Sequence, residues 1–96
     1  MAIQSFADKE TEIFFEMGRV RKQVRWRNFS KIVIRKLDMV HYTTRLDDLR
    51  SPPNNRLESL KGKYKGFWSL RVNDQWRIVF QWTDCGAEKV QVVDYH

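Results

Sequence analysis

The last three residues of the sequence, Asp94-Tyr95-His96, set an acid, a phenol and an imidazole side by side at the end of an apolar stretch containing Val92 and Val93. With cations added, these are the groups that metal-free RNA cleavage uses. A base takes the 2′-OH proton and the alkoxide attacks the neighbouring phosphate in line; cations stabilise the added negative charge, and an acid protonates the departing 5′ oxygen. Histidine titrates near neutrality and serves in either proton transfer. Alone, a terminal Asp-Tyr-His is a weak motif. Chain ends fray, and Tyr95 equally suits plain packing at a sheet edge.

The cations come from a hairpin. Trp68, Leu70 and Val72 alternate with Phe67, Ser69 and Arg71, and Trp76, Ile78, Phe80 and Trp82 alternate with Arg77, Val79 and Gln81. Matching apolar to apolar needs an odd loop, and the shortest, Asn73-Asp74-Gln75, pairs Val72 with Trp76, Leu70 with Ile78 and Trp68 with Phe80. The same register sets Arg71 opposite Arg77. Like charges across a ladder repel, so the pair either splays into water or holds an anion, and a longer loop would dissolve the pairing.

These residues need a scaffold. Ile3 to Phe6 reads as an edge strand or extended lead-in. Asp8 is placed to cap a helix ending near Met17, with Glu10 and Glu12 in its first turns, Gly18 past its end, and Ile13, Phe14 and Met17 as its buried face. Ser30 is a candidate cap for a second helix, with Val33, Ile34, Leu37 and Val40 on one stripe and Lys31, Arg35 and Lys36 pointing outward. Residues 43–56 form a connector in which Pro52 and Pro53 forbid regular structure. The period then falls to two, predicting strands Leu57–Leu60, Phe67–Val72, Trp76–Trp82 and Lys89–Tyr95. The fold class is therefore α+β, with two N-terminal helices packed on one face of a small antiparallel β-sheet.

Ninety-six residues make one domain, 1–96, with 42% hydrophobic residues to build a core and a net charge of +6. No apolar run suits a membrane span and no secretory leader precedes the acidic residues Asp8 and Glu10, so a cytoplasmic protein is expected. Cys85 is the single cysteine, and with His41 and His96 it falls short of a usual zinc set. No metal or cofactor is expected. The charge is concentrated: eight basic residues and no acidic one lie between Arg19 and Lys36. Such a run suits nucleic acid, an anionic membrane or an acidic protein, or is simply a solvated face; Trp26 and Phe29 within it suit base stacking or core anchoring.

Three stretches resemble one family: Leu49 to Gly62 with its Ser-Pro-Pro-Asn-Asn-Arg-Leu-Glu core, Ser69 to Ile78, and Val93-Asp94-Tyr95-His96. They are similar to the HigB-like toxins of the RelE/ParE superfamily, and Ile3-Gln4-Ser5-Phe6 and Arg35-Lys36-Leu37 also fit. The resemblance implies a RelE-like fold and a toxin of a type II toxin–antitoxin system, a ribosome-dependent endoribonuclease that cleaves mRNA and inhibits translation. It implies a HigA-like helix-turn-helix antitoxin as partner, with the ribosome and mRNA as targets. Operator DNA would be met only through the antitoxin, and no membrane is involved. Carried over by position, Asp94, Tyr95 and His96 match the catalytic end, Arg77 the arginine near the scissile phosphate, and Lys61 a basic residue near phosphate. Arg71, Lys63 and Arg56 are expected to join Lys61 on the RNA. Arg19, Arg21, Lys22, Arg25, Trp26 and Arg27 are candidate contacts to ribosome or antitoxin. Glu58 stands where the best-studied type of HigB has a histidine, and Asn54 replaces a common turn glycine. The alternatives are a ParE-like gyrase inhibitor on the same fold, against which the Asp94-Tyr95-His96 ending argues, and a basic RNA-binding module.

Overall fold

The computed structural model describes residues 2–95, so His96 lies outside the described residues. Helix α1 spans Lys9–Met17 and α2 spans Ser30–Tyr42. Four strands follow, β1 Glu58–Ser59, β2 Trp68–Arg71, β3 Trp76–Thr83 and β4 Gly86–Asp94, forming one antiparallel sheet in the order β1-β2-β3-β4. The fold class is thus α+β, as the change of period predicts. No helix among the described residues is long and apolar enough to cross a membrane.

Local chemistry accounts for the boundaries. The Asp8 carboxylate accepts a 2.8 Å hydrogen bond from the Thr11 amide, satisfying a donor that α1 leaves unpaired. Gly18 closes that helix in the left-handed region at φ 72°, where a side chain would be strained. The expected buried face needs one correction: Met17 is 65% exposed, and Thr11 lies buried beside Phe14 instead. The apolar stripe of α1 is shorter than its hydrophobic residues suggest. Ser30 likewise does not cap α2. It is the first helical residue, because a 3-10 turn at Arg27–Phe29 runs directly into the helix.

The hairpin register is the one the alternation predicts: Trp68 faces Phe80, Leu70 faces Ile78 and Arg71 faces Arg77. Asn73 Oδ1 accepts from the amides of Gln75 and Trp76, both at 2.8 Å, so one side chain ties the three-residue loop. Strand β4 starts earlier than expected because Thr83 already pairs with Gly86, leaving Asp84 and Cys85 as the turn. Farther along, Val79 pairs with Gln91 and Gln81 with Glu88, so Lys89 is the extra residue of a bulge, at φ 54°. The bulge resets the alternation and allows both Ala87 and Val90 to be fully buried. The N-terminal segment runs parallel to β4, with bridges Ile3–Ala87 and Phe6–Val90.

One core cluster joins Phe14 of α1 and Val33, Leu37 and Val40 of α2 to Leu70, Ile78, Phe80 and Val90 of the sheet. Two residues of the basic run lie inside. Trp26, a candidate surface contact, is 4% exposed and meets Phe14 edge-on, with ring centroids 5.2 Å apart. Lys36, expected to point outward, is 3% exposed. Its ammonium donates to Asn55 Oδ1, while the Asn55 amide donates to the carbonyls of Leu49 and Ser51 at 3.1 and 3.2 Å. A buried polar group needs such partners, and here they pin the proline connector to α2. Burial pulls the Lys36 pKa below the ordinary lysine value, and the charges of Arg35 and Arg71 act in the same direction.

Candidate active site

Alternation along the paired strands sorts the predicted site residues onto two faces. Directly paired residues point the same way. Arg71, Arg77 and Val93 therefore share one face with Ser69 and Val79, and Trp76, Ile78, Val92 and Asp94 share the other. Tyr95, one residue beyond Asp94, falls on the arginine side. Its amide donates to the Gln75 carbonyl at 2.9 Å, extending the β3–β4 ladder by one bond.

On the arginine side the two like charges turn to different partners. Each has its own local partner. Arg71 reaches Asp74 in the hairpin loop. Arg77 Nε donates to Ser69 Oγ at 2.8 Å, its Nη2 donates to the Arg56 carbonyl at 2.7 Å, and the Glu58 carboxylate lies 3.8 Å away. Two rigid acceptors thus hold the planar fork before any substrate arrives. Its side chain is 12% exposed, and burial lowers its pKa from the usual guanidinium value. Glu58 and Tyr95 oppose that shift, whereas Arg56 and Arg71 add to it, which sets all four groups within electrostatic reach.

The β1–β2 connection carries Lys61, Lys63 and Tyr64. Lys61 and Lys63 are both exposed and flank Gly62 in the Gly62–Tyr64 turn, and Lys63 Nζ lies 5.2 Å from the Tyr64 ring centroid. Tyr64 in turn meets Tyr95, with ring centroids 6.3 Å apart. Arg71, Arg77 and Tyr95 thus share one side of the sheet, Arg56 contributes its backbone carbonyl there, and Lys63 adjoins it through Tyr64, whereas Lys61 is exposed in the turn. Sequence reasoning missed Ser69 and Tyr64. Ser69 was open to detection, because it sits diagonally across the ladder from Arg77; Tyr64 enters through turn geometry that no periodicity reports.

Asp94 belongs elsewhere. Its Oδ2 accepts from Arg25 Nη2 and from Gln75 Nε2, both at 3.0 Å. It lines a cleft with Asp8, Val24, Arg25, Trp26 and Trp76, and the Arg25 guanidinium lies 5.2 Å from the Trp76 ring centroid. The structure therefore does not bring Asp94 to Arg77. Of the basic run, Arg21 pairs with Glu10 and Arg25 with Asp94, while Arg19, Lys22, Arg27, Lys31 and Arg35 are exposed. Among the described residues no three His, Cys, Asp or Glu side chains converge as a metal ion would require.

The sequence matches a known family. The model of the HigB-like toxins, described as RelE-like toxins of the type II toxin–antitoxin system HigB, matches residues 4–96. The chain belongs to the HigB-like toxin family. It is 40% identical over 84 residues to Toxin HigB-1 of Vibrio cholerae, covering 88% of this chain and 86% of that protein. It is 33% identical over 94 residues to Endoribonuclease HigB of Proteus vulgaris, covering 98% and 99%. Among solved structures, YoeB in the YoeB–YefM complex from Staphylococcus aureus is similar at TM-score 0.54 and 15% identity, over 100% of this chain and 99% of that one. The YoeB/ParE toxin from Agrobacterium tumefaciens is similar at TM-score 0.55 and 18% identity, over the whole of both chains. At such identities the likeness concerns the fold.

Proposed function

We propose that this HigB-like toxin is a ribosome-dependent endoribonuclease that cuts mRNA by attack of a 2′-OH on the adjacent phosphate, and that it acts in the cytoplasm until a HigA-like helix-turn-helix antitoxin neutralises it. Both helices cover one face of the sheet in this reading, and the arginine face receives the RNA. The observation that carries it is the fixed Arg77 fork, held by Ser69 and the Arg56 carbonyl on the same face as Arg71 and Tyr95. A guanidinium oriented in advance, in a partly desolvated position, stabilises the charge that develops on the phosphate without reorganising during the reaction.

Arg77 contacts the non-bridging oxygens of the scissile phosphate. Arg71, Lys61, Lys63 and Arg56 bind phosphates to either side. Tyr95 stacks on a base or assists proton removal, and His96 exchanges protons with the 2′-OH or the 5′ oxygen. Asp94 steadies the strand end that carries them, since its carboxylate is engaged with Arg25 and Gln75. Glu58 does not replace a second imidazole. Lying 3.8 Å from Arg77, it acts as an electrostatic partner that keeps the guanidinium charged and in place.

The test combines the purified chain, ribosomes and a short mRNA, with primer extension to map ends. New 5′ ends in ribosome-bound mRNA, lost in Arg77→Ala and His96→Ala, are expected. Intact mRNA with broken DNA in the presence of gyrase would overturn the reading in favour of a ParE-like action. Intact mRNA with steeply salt-dependent binding of bare RNA would reduce the protein to an RNA-binding module.

A further inference from the structure

Arg25 lies far from the C-terminal strand in sequence, yet it makes a side-chain ion pair to the end of β4: Arg25 and Asp94 are 69 positions apart. Its neighbours Val24 and Trp26 are 8% and 4% exposed, so the backbone that carries Arg25 is anchored on both sides in the core. Its guanidinium lies over the indole of Trp76, which is itself 5% exposed and pairs with Asp94 across the ladder. The fork is therefore aimed before it meets the carboxylate. Gln75 then grips the same strand end twice, its side-chain amide on Asp94 Oδ2 and its backbone carbonyl on the Tyr95 amide.

We infer that Arg25 is a positioning residue, acting through Asp94 to fix the angle at which β4 delivers Tyr95 to the arginine face; this rests on the endoribonuclease reading above. Asp94 and Tyr95 point to opposite faces, which puts the Asp94 carboxylate on the side of the sheet away from Arg77. The restraint that Arg25 applies passes through the backbone of β4. An ion pair whose arginine is 68% exposed contributes little to global stability, but a restraint at a strand end acts where the strand would otherwise fray. Small displacements at a reacting centre are expensive in rate.

The experiment compares the unmodified toxin with Arg25→Ala, Arg25→Lys, Asp94→Asn and the double variant Arg25→Ala/Asp94→Asn. It measures kcat and KM on ribosome-bound mRNA, and hydrogen exchange at the Tyr95 amide in the free protein. Arg25→Ala should lower kcat by about 10- to 100-fold with KM within about twofold, Arg25→Lys should recover part of the loss, and the double variant should be no slower than the worse single one. The Tyr95 amide should exchange about fivefold faster in Arg25→Ala while core amides of β3 are unchanged. A raised KM with kcat intact, or simple multiplication of the two single effects, would return Arg25 to a mere ribosome contact. Unchanged exchange at Tyr95 would overturn the inference whether or not the toxin cuts RNA. Failure of the unmodified toxin to cleave, with faster exchange still seen in Arg25→Ala, would count against the endoribonuclease reading and leave the restraint on β4 established.

Discussion

Successive residues of β3 face two environments that obey different rules. Ile78 and Phe80 are fully buried among Leu70, Leu37 and Val33, where any apolar group of the right volume would fit. Arg77, between Trp76 and Ile78, is held by a hydroxyl, a carbonyl and a carboxylate, where only a planar fork of donors fits. One face is specified by volume, the other by hydrogen-bond direction. The difference teaches which face tolerates change: a core absorbs conservative swaps, whereas a constellation of fixed donors does not.

Removing volume from the first face has the largest expected effect. Phe80→Ala should cost about 3–5 kcal/mol of unfolding free energy, a large part of the stability of a domain this size, and urea denaturation should show it. The fraction that remains folded should cleave at nearly the parental rate. If it does not, the two faces are not separable. Arg77→Ala should do the opposite: a loss of about 10²–10³-fold in cleavage rate, with a modest shift in the urea midpoint. Arg77→Lys should rescue little, because an ammonium cannot bond Ser69 and the Arg56 carbonyl in one plane. Full activity in the lysine variant would show that charge alone is needed. Arg71→Ala is expected to lose about tenfold, equivalent to one charge-assisted contact, because the partner that holds Arg71 is the exposed Asp74. Its loss should appear in KM on ribosome-bound mRNA.

The sequence made the first face legible and part of the second. Alternation with an odd loop set the hairpin register residue for residue, since a slip of one position would turn Leu70 and Ile78 outward. The same alternation placed Asp94 and Tyr95 on opposite faces, but three reactive side chains in a row read more readily as one cluster. Spacing also put Lys36 on the buried stripe of α2, three after Val33 and four before Val40, and only its residue type argued for solvent. What no local pattern carries is the partner of a buried or oriented group. Asn55 beneath Lys36, Ser69 behind Arg77 and Arg25 beside Asp94 are contacts between elements, fixed by how the layers pack.

Lys36 supplies the smallest and most discriminating test, because it sits in the packed helix yet feels the charge of Arg71. Its folded pKa lies below the unfolded value, chiefly through burial. Between those two values the unfolded chain binds more protons than the folded one, so this group makes stability rise as pH climbs toward the ordinary lysine pKa and level off above it. At neutral pH the ammonium is charged in both states and its desolvation opposes folding. Lys36→Met should therefore flatten the rise in urea midpoint across the alkaline range. At neutral pH its lost repulsion and the lost bond to Asn55 should largely offset one another. Curves that rise equally in both proteins would mean that the ammonium is not isolated from water, and that the seam between the apolar face and the arginine face is wet.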